Sequence, residues 1–165
     1  MRFEASRPFM PGYALLGPSE GRGLLPWSWA EERLVMSHNY WLSTVSPAGR
    51  PHAMAVWGVW HDGTFFFSTG AESRKTRNLA HDARCSVSTE NATEAVVVEG
   101  EAHRFDDAVL LAEISTRYAA KYEHPAPPPL FRVLPETVFG FIEHASEFSG
   151  TATRWRVVRQ ETDPR

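Results

Sequence analysis

Turn-forming clusters divide the chain into short runs with distinct hydrophobic periods. Tyr40–Ser46 is a β-run, and the turn Pro47-Ala48-Gly49-Arg50 hands it on to a second run, Pro51–Trp60. Asp62-Gly63 is a strong hairpin signal and leads into Thr64–Thr69, so three strands in meander order are predicted. In the second run His52, Met54, Val56 and Trp60 share one face, while Ala53, Ala55, Trp57 and Val59 share the other. Both faces are largely apolar. Such a strand is covered on both sides, by a barrel interior and by a subunit, helix or ligand.

Further strands are predicted at Arg84–Thr89, Ala95–Phe105, Thr137–Glu143 and Thr153–Val158, with a small polar turn at Ser146–Gly150. Helical spacing of Leu110, Leu111, Ile114 and Tyr118 predicts a helix from Asp106 to about Tyr122. Ser28, with Glu31 three residues later, predicts a capped short helix over Trp29–Ser37. A third helix is predicted from Ser73 to about His81. The proline- and glycine-rich residues 1–26 read as an irregular arm over the surface or a partner subunit, and His124–Pro129 as an extended connector. The pattern therefore predicts a mostly β (α+β) fold, a six- to seven-stranded antiparallel barrel with two or three peripheral helices. Residues 1–30 form the arm, 31–160 the domain and 161–165 a tail.

Composition narrows the function classes. Six tryptophans in 165 residues supply more aromatic surface than a core needs, leaving some for a ligand or a partner. A net charge of −3 without blocks of like charge gives no footprint for non-specific nucleic-acid or membrane binding. No signal pattern opens the chain and no apolar stretch approaches a membrane span, which predicts a soluble, cytoplasmic protein. The single cysteine, Cys85, lies in an apolar run and reads as a buried structural thiol. The seven histidines lack metal-ligand spacing, so no metal centre is predicted. Neither GxSxG, GxGxxG nor a Walker pattern occurs.

The informative stretch is Phe65–Leu79, FFFSTGAESRKTRNL. A strand ends in a turn, and a helix starts at Ser73 with Arg74, Lys75 and Arg77 in its first turn. Cations are disfavoured at the positive end of a helix unless something negative joins them. Free amides, a hydroxyl and several cations suit a bound phosphate, whereas the bland reading is a solvated basic turn. Beside a two-sided apolar strand, this grip suits a planar aromatic cofactor with a phosphate tail.

The strand, the turn and Ser73-Arg74-Lys75, followed by Asn78-Leu79 and the Val96-Val97-Val98 strand, resemble the pyridoxamine 5′-phosphate oxidase-like split barrels. The resemblance covers about Tyr40 to Phe105 and continues more weakly to Thr153-Arg154-Trp155. It implies a split barrel that is a homodimer with FMN at the subunit interface. Ser73, Arg74, Lys75, Arg77 and Asn78 would form the phosphate end, and Thr69 falls at a phosphate or ribityl contact. The strand edge from His52 through Met54, Ala55 and Val56 to Trp57 would run under the flavin ring, and Arg154 and Trp155 near the cofactor of the opposite subunit. True oxidases carry an arginine and a lysine where this chain has His52 and Trp57, so pyridoxamine-phosphate oxidation is not implied. The Lys75–Leu79 stretch looks more like the actinobacterial branch, whose members use FMN or the deazaflavin coenzyme F420. The implied function is a flavin- or deazaflavin-dependent oxidoreductase that transfers a hydride to or from a small organic substrate. The alternatives are a non-catalytic flavin-binding or coenzyme-storage protein, and a barrel without cofactor acting as an interaction module.

Overall fold

The computed structural model describes residues 1–158. The predicted tail, 161–165, lies outside the described residues. Strands β1 (Arg2–Ser6), β2 (Tyr40–Val45), β3 (Pro51–Val56), β4 (Gly58–His61), β5 (Thr64–Ser68), β6 (Arg84–Thr89), β7 (Glu94–Arg104), β8 (Leu130–Ile142) and β9 (Thr153–Val158) form one nine-stranded antiparallel sheet. Helices are α1 (Trp27–Met36), α2 (Arg74–His81), α3 (Ala108–Tyr122) and α4 (Phe148–Thr151). The main path runs β1-β9-β8-β7-β6-β2-β3, and β5 joins β4 to β8. The sheet coils into an open, split barrel with the helices outside, as predicted, but with more strands and helices than the pattern suggested.

The branch point is β8. Its first half, Leu130–Val133, pairs with β5, and Thr137–Gly140 pairs with β9. Pro135 stands between them, opposite Gly100 at a register shift in β7. A proline cannot donate to a ladder, so it is accommodated at such an irregularity. A Cβ on Gly100 would lie 2.1 Å from the Leu134 carbonyl oxygen, so only glycine fits there. Pro135 hides this strand from the sequence pattern, which predicts only Thr137–Glu143.

The second predicted strand is two strands. Residues 51–56 pair with β2, whereas residues 58–61 pair with β5, and Trp57 belongs to neither register. The single alternation predicted over Pro51–Trp60 therefore breaks at Trp57. Only the second part is covered on both sides. Trp60, Phe65 and Phe67 enter the barrel core, while Val59 and Phe66 pack with Ile114, Tyr118 and Tyr122 beneath α3. Each fully buried side chain of this size contributes about 1.5–3 kcal/mol relative to exposure. In contrast, β3 is an edge strand whose Ala53, Met54 and Ala55 are exposed.

The N-terminal residues, predicted irregular, begin with β1, which pairs with β9 and stacks Phe3 on Trp27. Arg7 then fastens the following loop by donating to the carbonyls of Leu16, Gly17, Gly150 and Ala152. The first helix starts at Trp27 behind Pro26, without the side-chain cap predicted from Ser28. A short α4 overlaps the end of the predicted Ser146–Gly150 turn.

Candidate functional site

At the start of α2 Ser73 is the N-cap, its Oγ accepting from the Thr76 amide at 3.2 Å. Thr76 Oγ1 donates to the Gly70 carbonyl at 2.8 Å and closes the turn. The helix is seated by Asn78, whose buried amide donates to Thr44 Oγ1 on β2 at 2.9 Å. Asn78 is 2% exposed, and its bond ties α2 to the sheet.

Arg74 and Arg77 are exposed and Lys75 is half-buried. None of the three has a carboxylate partner among the described residues. His52, on β3, feels them. Its burial, and then the charges of Arg74 and Lys75, pull its pKa below the ordinary histidine value. Its Nδ1 atom is buried without a hydrogen-bond partner among the described residues. This is an electropositive corner without a counter-charge, as an anion site requires.

Lys75 opens onto a cavity of about 730 Å³. Thr69 and Gly70 share its rim, and Ala55, Val56 and Trp57 form one wall. The opposite wall comes from Tyr118 of α3 and from His124, Pro125 and Pro127 of the connector. The connector is fixed by Ser68, whose hydroxyl donates to the Pro127 carbonyl. Trp57 is 42% exposed, and its indole stacks on Tyr122 with centroids 4.7 Å apart at 8°. The imidazole of His124 lies nearly parallel to the same indole at 6.5 Å.

Five predicted site residues thus meet at one cavity: Ala55, Val56, Trp57, Thr69 and Lys75. Ser73 and Arg74 precede Lys75 at the helix start, His52 lies on β3 within the field of Arg74 and Lys75, Arg77 is exposed on α2, and Met54 is 46% exposed on β3. Arg154 is elsewhere, bonded to Ser6 across β1 and β9. Trp155 is 1% exposed in the core, its ring edge-on against that of Trp27. Pattern reading missed Asn39, Tyr118, His124 and the connector prolines because their places in the wall depend on long-range packing. The one available signal was a histidine directly followed by a proline-rich run. Cys85 is half-buried, and burial pushes its thiol up to about 12, so it holds no reactive thiolate. No cluster of three or more metal-ligating side chains occurs among the described residues. None of the described helices is long and apolar enough to cross a membrane.

A split barrel with a basic helix start at the mouth of an aromatic cavity defines the class. The family model for pyridoxamine 5′-phosphate oxidase matches residues 30–141, and the chain belongs to that family. No curated protein matches the chain at a significant level. Among solved structures, the conserved hypothetical protein Rv2991 from Mycobacterium tuberculosis is 21% identical, with a TM-score of 0.64 over 73% of this chain and 87% of that one. An F420 reductase is 21% identical, with a TM-score of 0.54 over 66% and 94% of the two chains. The heme storage protein HutZ from Vibrio cholerae is 20% identical, with a TM-score of 0.57 over 69% and 90%. At these identities the likeness is one of fold.

Proposed function

We propose that the protein is an oxidoreductase that binds FMN, or the deazaflavin coenzyme F420, and transfers a hydride to or from a small, mostly apolar substrate. The observation that carries this reading is that Lys75 and the β3–β4 wall border the same cavity. The unpaired cations and free amides of the α2 start fit a phosphate, and a cavity of about 730 Å³ is of the size that cofactor sites use. When bound, the coenzyme supplies a ring that accepts or gives a hydride. Lys75, Arg74 and the Ser73 hydroxyl hold the phosphate end, with Arg77 adding long-range charge. Ala55, Val56 and Trp57 orient the ring. The apolar wall of Tyr118 and the prolines keeps water from the reacting face and favours an uncharged substrate. Trp57 offers an apolar surface where a second substrate phosphate would need a cation, which argues against pyridoxamine phosphate.

The active unit in this reading is a cytoplasmic homodimer with the coenzyme at the interface and Arg154 facing the partner. Support comes from the outer face of the sheet, where Trp41 is 50% exposed, Val45 is also exposed, and the exposed Ala53 and Ala55 of β3 lie on the same face. Such contiguous apolar exposure is unusual for a monomer. The domain proper spans 31–160 in this proposal.

A second reading, a heme- or coenzyme-carrying protein without turnover, is favoured by one observation: His124 lines the cavity as a candidate ligand. The test is titration of the purified protein with FMN, F420 and hemin, followed by reduction of the bound coenzyme and addition of an electron acceptor. The expected result is tight FMN or F420 binding, weakened at least about tenfold by Lys75→Ala, and turnover. Hemin binding lost in His124→Ala, without flavin binding, replaces the first reading by the second. Binding of none of the three removes both.

A further inference from the structure

Trp57 has no partner in either strand ladder, so the sheet does not fix it. What holds this point of the chain is the last turn of α3. The Gly58 amide donates to Tyr122 Oη at 2.9 Å. That hydroxyl lies 2.8 Å from the Gly58 carbonyl and 2.7 Å from the His38 carbonyl, and can donate to either. Lys121 Nζ donates to the same Gly58 carbonyl at 3.1 Å and to Tyr40 Oη at 2.8 Å. Tyr40 in turn donates to the Leu34 carbonyl at the end of α1. Both polar groups of Gly58 are therefore held by side chains, and the Tyr122 ring supports the neighbouring indole directly.

Packing alone does not explain a lysine here. Its ammonium lies 4.8 Å from the centre of the Tyr40 ring and 5.4 Å from that of Tyr122, on a half-buried side chain. Burying a charge is costly, and an apolar side chain of similar length fills such a space with less penalty. A charged donor gains over methionine only by fixing the atoms it bonds. Those atoms are the backbone beside the cavity wall.

We propose that Lys121 and Tyr122 are positioning residues that act through Gly58 to fix the Trp57 indole as the wall on which a planar ligand ring lies. The ligand part of this inference rests on the coenzyme reading above; the placement of Trp57 does not.

The experiment compares wild type, Lys121→Met, Lys121→Arg and Tyr122→Phe, each with and without Trp57→Phe. The near-ultraviolet circular dichroism difference within each pair reads the Trp57–Tyr122 stack without any ligand. Riboflavin and FMN affinities then read the ring wall, and urea unfolding reads global stability. Expected is loss of most of the Trp57 signal in Lys121→Met and Tyr122→Phe, retention in Lys121→Arg, and about fivefold weaker binding of riboflavin and FMN alike. Lys75→Ala, by contrast, weakens FMN only. A lower urea midpoint with a full Trp57 signal and unchanged riboflavin affinity overturns the proposal and leaves a structural tie. Should Lys121→Met fail to fold, Tyr122→Phe, which removes one hydroxyl, decides alone. Failure of every protein to bind riboflavin, FMN or F420 sinks the coenzyme reading, while the Trp57 signal still decides the positioning.

Discussion

Thr69 Oγ1 lies 3.2 Å from Ser73 Oγ, so the end of β5 and the N-cap of α2 hold each other. Ser73 Oγ is also 3.1 Å from Thr76 Oγ1, which extends the contact to the first helical turn. The position of Lys75 is thereby set by the sheet and not by a free loop. A basic turn that is only a solvated surface has no need of three hydroxyls in register. A site that must hold an anion against a ring has that need, because displacement of the anchor displaces the ring.

The buried Asn78–Thr44 hydrogen bond seats the whole helix start. Thr44→Val leaves the Asn78 amide donor unsatisfied and costs about 1–3 kcal/mol of stability. Replacing both partners, as Thr44→Val with Asn78→Leu, costs less than the sum of the single changes, since no polar group is then orphaned. Urea unfolding of the four proteins measures this coupling. Strict additivity means that the bond does not seat α2.

Gly58 is the position at which the chain leaves one half of the barrel for the other. A Cβ built there lies 2.2 Å from Phe65 Cζ and 2.7 Å from the Phe66 carbonyl oxygen. Gly58→Ala must push a core aromatic ring or the β5 backbone, at a cost of about 1–3 kcal/mol or more. The expected observation is a lower urea midpoint with weaker flavin binding. Gly70→Ala, where a Cβ meets nothing within 4 Å, is the control and leaves the midpoint unchanged.

The local parts of this architecture were legible in the sequence. β6 and β9 match their predicted bounds, and the Ser73 cap is formed, because alternation and capping are properties of neighbouring residues. The break at Trp57 was not legible, since it is enforced by Lys121 and Tyr122 from more than sixty positions away. The first half of β8 was hidden by Pro135, whose missing donor is tolerated only because Gly100 opposes it at the register shift. Lys75 and Trp57 could be picked from pattern and resemblance. Tyr118 and His124 could not, because nothing local places α3 and the connector against β3.

His52 reports on the proposed phosphate end. Its burial and the charges of Arg74 and Lys75 disfavour its protonated form, so its pKa is expected below the usual histidine value in the free protein. The unfolded chain then binds this proton first as pH falls, and stability falls with it below about pH 6.5. A phosphate between the two cations cancels part of their field. The His52 ring resonance, followed by NMR through a pH titration, should show a higher pKa with FMN than with riboflavin. Equal values in the two complexes mean that no phosphate sits beside Arg74 and Lys75.

Lys121 gives a second pH signature with the opposite working range. Burial holds its amine down at about 8, against 10.5 for an ordinary lysine, while Glu90 pulls it partly back up. Between these values the unfolded chain carries a proton that the folded chain has lost, so stability rises with pH in that window. Burial also raises the pKa of Tyr40 and brings Tyr122 to about 12, so above about pH 10 the unfolded tyrosines lose protons first and the trend reverses. Urea unfolding from about pH 7.5 to 10 should therefore show wild type gaining on Lys121→Met. The gain is at most about 1 kcal/mol, because part of the side chain reaches solvent. Glu90→Gln removes the charge that favours the ammonium, so the rise should begin at a lower pH in that variant. A flat difference between wild type and Lys121→Met means that the amine titrates as it does in the unfolded chain, and that the Gly58 carbonyl is not held by a desolvated ammonium.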